Sequence, residues 1–158
     1  MILNNPPNCP RHNFPFERAT RNGQAAAMHP NPAFRQTPAD RDLTFARERG
    51  FGILTVNGET GPLAAHVPFI LAEDGQRAEL HLVRSNPVAR ALASPLPALL
   101  AVSGPDGYVS PDWYGIDDQV PTWNYVALEL QGTARKMDEA ALIAQADALS
   151  ETHEKRLM

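Results

Sequence analysis

The chain is poor in cysteine: Cys9 stands alone in 158 residues, so no intrachain disulfide can form. That usage fits a reducing compartment, and a cytoplasmic location is expected. No apolar run approaches the roughly 20 residues that cross a bilayer, and residues 1–27 lack the apolar segment of a secretory signal, so no membrane partner is expected. Basic residues are also in deficit. Residues 1–27 hold three Arg and one Glu, which leaves 11 basic and 17 acidic side chains in residues 28–158. An acidic body does not attract a polyanion, and no helix-turn-helix pattern is visible, so direct DNA binding is not expected.

The usual catalytic motifs are missing as well. There is no GxSxG elbow, no GxGxxG and no P-loop. The histidines His12, His29, His66, His81 and His153 have neither metal-ligand spacing nor cysteine partners, so no metal site and no catalytic residue is assigned. His153-Glu154 is half of a metal motif without its second histidine. His66 and His81 suit half-exposed positions on neighbouring strands. Any chemistry would have to come from a cofactor.

What is present is concentrated between Gly104 and Tyr125 (GPDGYVSPDWYGIDDQVPTWNY), which holds both tryptophans, all three tyrosines and three prolines. Proline fixes the backbone and aromatic rings lose few rotamers on burial, so this stretch makes a rigid, flat-walled surface suited to a planar ligand. On composition alone, core and interface packing is the commoner use of such rings.

Along the chain, residues 1–27 are rich in Asn, Pro and Arg without apolar period and are expected to be disordered, with the functional protein beginning at Met28. Thr37-Pro38 opens a helix that Gly50 ends. Phe51–Val56 reads as a strand, Asn57-Gly58 as a two-residue hairpin turn, and Pro62–Leu71 as the returning strand. Glu73-Asp74-Gly75 turns into a strand at Glu79–Val83. Asn86 or Ser85 caps a short helix beginning at Pro87, and with Arg84 and Arg90 this start is a candidate phosphate seat; a capped surface helix with solvated arginines is the commoner reading. Pro97–Ser103 and Trp123–Leu130 read as further strands, with a bulge or bend at Gly132. A second helix runs from Asp138-Glu139 to about Leu149, with Leu142, Ala146 and Leu149 on one stripe. Some five closely spaced strands with two or three short helices predict a mainly β fold, a small antiparallel barrel.

In order, the pieces MHPNPAF, AAHVPFIL, VRSNPVARAL, GPDGYVSPDWY, VPTWNYVALELQGTARKMD and His153-Glu154 resemble the signature blocks of the PaiB-like, FMN-binding negative transcriptional regulators. The resemblance spans nearly all of residues 28–154. It implies an FMN-binding split β-barrel, a homodimer with flavin at the subunit interface, and FMN as cofactor. It further implies that His66, Val67 and Pro68 run along the isoalloxazine ring, that Arg84, Ser85 and Asn86, with Arg90, hold the phosphate, and that Trp123 and Asn124 close the pocket. Flavin-dependent oxidoreductase activity, or a dimerisation module that no longer binds flavin, are the alternatives. Two departures stand out: His29 occupies a position where the family has Tyr, and the family pattern continues past Met158 for roughly another quarter of its length. The C-terminal part of that pattern is therefore expected to be missing from the domain at residues 28–158.

Overall fold

Alternation of apolar and polar residues sets the architecture of the computed structural model, which describes residues 11–18, 39–115, 117–155 and 157. In strand β2 (Phe51–Gly58) Leu54 and Val56 point inward, and in β3 (Gly61–Leu71) Ala65, Val67, Phe69 and Leu71 do the same. Strand β4 (Arg77–Val83) adds Leu80 and Leu82, β5 (Leu96–Val109) adds Leu100 and Val102, and β6 (Thr122–Ala134) adds Leu130 and Ala134. Period-two burial of this kind places one face of each strand in a common core and leaves the other wet. The fold is mainly β and antiparallel throughout, as the spacing predicts.

The five strands run β4-β3-β2-β5-β6. Residues 11–18, expected to be disordered, form a further strand, β1 (Arg11–Arg18), which pairs with β4 along its length and with β6 at Gly132–Ala134, completing the ring. Composition misses such a strand because backbone pairing to two open edges needs no apolar period. The rest of residues 1–27, Met28, His29 and the Thr37-Pro38 helix start lie outside the described residues.

The β2–β3 turn differs from expectation. Asn57 and Gly58 remain in the ladder, Gly58 pairs with Gly61, and Glu59-Thr60 makes the turn. A turn at Asn57-Gly58 would set Val56 against Glu59 and put a carboxylate on the core face. The observed register sets Val56 against Leu63 and Leu54 against Ala65. The expected irregularity at Gly132 is likewise absent, since Gly132 pairs regularly with Ala98. The ladder shifts instead between Ser103 and Asp106, where β5 carries one extra residue opposite β6. A Cβ on Gly104 would lie 2.9 Å from the Phe45 ring and 3.0 Å from Val126, so only glycine fits this bulge without displacement.

Helix α1 (Ala39–Arg49) carries Asp40 and Asp42 in its first turn and Arg47 and Arg49 in its last, matching the helix dipole. It ends at Gly50, at φ 55°, whose N–H donates to the Ala46 carbonyl at 2.9 Å. Arg47 reaches across to donate to the carbonyls of Ala72 and Glu73, tying α1 to the β3–β4 turn. Helix α2 (Pro87–Ala91) seals the barrel with Val88, Ala89 and Leu92. Helix α3 (Glu139–Glu154), capped by Asp138, lies over β1 and β4; its buried Gln145 Oε1 stands 3.0 Å from His81 Nδ1. It runs several residues beyond the expected end at Leu149.

Candidate functional site

Strands β3 and β4 part company halfway along. Among the described residues, their pairing covers only Phe69–Leu71 of β3, while Gly61–Pro68 pair with β2 alone. His66, Val67 and Pro68 therefore sit on a strand edge that β4 has left. The His66 side chain is exposed, Val67 is buried at 1% and belongs to the core, and Pro68 is half-buried. A ligand on this edge meets the backbone of the strand and the His66 ring; the Val67 side chain is unavailable to it.

The β4–α2 turn opens helix α2, which packs on β2 and β3. Asn86 has extended backbone angles (φ −62°, ψ 132°), and its Oδ1 accepts from the Val88 N–H at 2.9 Å, so it is the helix cap. The Arg90 guanidinium donates to the Ser85 carbonyl at 2.7 Å and braces the turn. Arg84 and Ser85 are exposed. The four residues thus divide their work: Asn86 and Arg90 shape the turn with atoms already engaged, and Arg84 and Ser85 present a guanidinium and a hydroxyl to solvent. A fork-shaped cation beside a hydroxyl suits a phosphate group.

Trp123 and Asn124 are not brought to this place within one chain. Ile53 pairs with both His66 and Ala101, and from that level Tyr108 and its partner Trp123 lie about 20 Å further along β5–β6, at about 3.3 Å per residue. Beyond Ser103 the two strands pair, among the described residues, only with each other and form a ribbon. Between Gly104 and Tyr125 the arms Gly104–Val109 and Thr122–Tyr125 are strand, and the connection between them opens with a 3-10 turn at Pro111–Tyr114 that Ser110 caps. Adjacent residues of a strand point to opposite faces, so Trp123 and Asn124 do not serve one surface. Trp123 shares its face with Tyr108, Tyr125 and Asp106; its ring meets Tyr108 edge-on, centroids 6.2 Å apart at 68°. Asn124 turns toward a shallow concavity with Gly107 and Val126. None of the ribbon's rings is buried: Trp113 is 73% exposed, Trp123 59% and Tyr125 56%. Sequence inspection found the rings but not their exposure, since exposure depends on whether a third strand covers the ribbon.

This arrangement defines a class: an antiparallel β-barrel protein with a half-open strand edge, an arginine-bearing turn and an exposed aromatic ribbon. Residues 28–158 match the family described as "Putative FMN-binding domain", and the chain belongs to that family, with FMN as its cofactor. Among curated proteins it is similar to the protease synthase and sporulation protein PAI 2 of Bacillus subtilis, at 30% identity over 77% of this chain and 59% of that protein. An uncharacterized protein of Saccharomyces cerevisiae is 28% identical over 70% of this chain and 73% of its own length. The chain thus spans less than two thirds of the Bacillus relative. These similarities bear out the PaiB-like resemblance.

Proposed function

We propose that this chain holds FMN on the β3 edge and the β4–α2 turn, in the manner of a split barrel, with the pocket completed in a homodimer. The observation that carries the reading is the departure of β4 from β3 after the Phe69–Leu80 pair, which leaves His66–Pro68 on an edge that β4 does not cover, in a strand against which α2 packs. Backbone donors and acceptors along the strand answer the polar edge of the isoalloxazine. Arg84 and Ser85 hold the phosphate, while the Asn86 cap and the Arg90 brace keep the turn in shape. The roughly 20 Å between this place and Trp123 supports a contribution of that ring, or of Asn124 on the opposite face, from a second chain rather than their own.

Bound FMN supplies hydride or electron transfer. The residues around the edge contribute binding, orientation and water exclusion; no acid or base among them is assigned to a substrate. The regulatory role that the resemblance implies runs, in this reading, through a partner or an effector molecule, because 17 acidic against 11 basic side chains in residues 28–158 disfavour duplex DNA. A gel-shift at low salt, where electrostatic contacts are strongest, is expected to show no complex. The cofactor reading is checked by the visible spectrum of the purified chain and by FMN titration. Saturable quenching of flavin fluorescence at micromolar FMN is expected, and no quenching together with colourless protein would sink it.

A further inference from the structure

The two ends of the β1–β4 ladder differ in charge. At one end Glu17 pairs with Arg77, and Arg77 in turn makes a 3.0 Å salt bridge to Glu79. At the other end Arg11 pairs with Val83, so its Cα stands within about 9 Å of the Arg84 Cα, one strand spacing and one residue away. Neither segment that meets there supplies a carboxylate: residues 1–16 hold Arg11 and no acid, and residues 80–105 hold Arg84 and Arg90 and no acid. Like charges on neighbouring strands repel each other, and an anion between them turns that repulsion into attraction. Strand β1 also lies outside residues 28–158, the span that matches the FMN-binding family, so nothing in that match accounts for an arginine at this place.

Resting on the flavin-site reading above, we propose that β1 completes the phosphate seat, with Arg11 supplying a second guanidinium to the phosphate that Arg84 and Ser85 hold. Two forks suit this ligand. A phosphate monoester carries about two negative charges at neutral pH and three strong acceptor oxygens, more than one guanidinium and one hydroxyl satisfy. The seat thus draws on two segments, the β4–α2 turn within the family span and a strand N-terminal to it. Backbone pairing to β4 fixes where β1 stands, so register delivers Arg11 to this end of the ladder. Binding and strand order are then coupled: a phosphate between Arg11 and Arg84 fastens the start of β1 to the end of β4, and a ligand without phosphate does not.

Single substitutions in the full-length chain test this by flavin-fluorescence titration. Arg11→Gln removes the charge at the seat. Arg18→Gln removes the same charge from the far end of β1, where Arg18 pairs with Gly132, about 23 Å along the strand at about 3.3 Å per residue. Arg11→Gln is expected to weaken FMN binding about tenfold or more, the size of a lost charge-assisted hydrogen bond, and to leave riboflavin, which has no phosphate, unchanged. Arg11→Lys, a point charge in place of a fork, is expected to recover part of the loss, and Arg18→Gln to bind both ligands as the wild type does. Unchanged FMN affinity in Arg11→Gln would remove Arg11 from the seat and overturn the proposal. An equal loss for FMN and riboflavin would overturn it too, by placing the effect on the fold, as would an equal loss in Arg18→Gln, by placing it on the general field of the chain. A wild type that binds neither flavin fails at the cofactor reading and takes this inference with it; a wild type that binds FMN and loses nothing with Arg11 sinks this inference alone.

Discussion

Arg84 and Asn86 are two positions apart in the chain, and only Asn86 has its side chain engaged in capping α2. Asn86 spends its Oδ1 on the Val88 N–H, so its contribution is to the local fold. Replacing it with Ala removes the cap of α2 and is expected to cost about 1 kcal/mol in urea unfolding. Arg84 is exposed at the mouth of the turn, and the proposed flavin site assigns it to the ligand's phosphate. Arg84→Ala is expected to weaken FMN binding by about tenfold or more, the size of a lost charge-assisted hydrogen bond. Riboflavin, which has no phosphate, should bind the variant and the wild type alike in the same fluorescence titration. An equal loss for both ligands would mean that Arg84 acts on the fold rather than on the phosphate.

Two glycines show how far the strands depend on close approach. A Cβ on Gly52 would stand 2.6 Å from the backbone oxygen of Ala101, on the strand that pairs with β2. A Cβ on Gly104 meets the far end of the Phe45 ring, which can turn aside. Gly52→Ala is therefore expected to destabilise by about 2 kcal/mol, and Gly104→Ala by less, with equilibrium unfolding as the measurement. Helix α1 adds a pH dependence. Partial burial of Asp42 raises its carboxyl above the usual value, only partly offset by Arg41. A carboxyl raised on folding binds its proton more tightly in the native state, so its contribution is fully present below the unfolded pKa and is lost as pH rises through the folded one. Asp42→Asn should remove that loss, leaving a smaller fall in stability between acid and neutral pH than in the wild type.

The β5–β6 ribbon shows the limits of a single chain. Its rings are each about half exposed or more, from 49% upward, and the residues expected to form one pocket lie at two places separated along the ladder. If the pocket is completed in trans, FMN binding and association are linked, and added FMN should tighten the dimer by mass action. Sedimentation at several protein concentrations, with and without FMN, measures this. No helix among the described residues is long and apolar enough to cross a membrane.

The sequence by itself determined strands β2 to β6, the helices and their order, because burial on one face writes a period of two or 3.6 into the residues that make it. It also singled out the Asn86 cap, the Gly50 stop and the motifs that identify the family, all of which act over a few neighbouring positions. Only the tertiary structure decided where β4 leaves β3, which residue carries the β5 bulge, and that β1 bridges β4 and β6. Those are matters of register and coverage between segments far apart in the chain, where several pairings satisfy the same local pattern and the packed core selects one. The aromatic stretch is the clearest instance. Its composition named a surface, and only the tertiary structure, in which no third strand among the described residues pairs with the ribbon, showed that its rings are exposed.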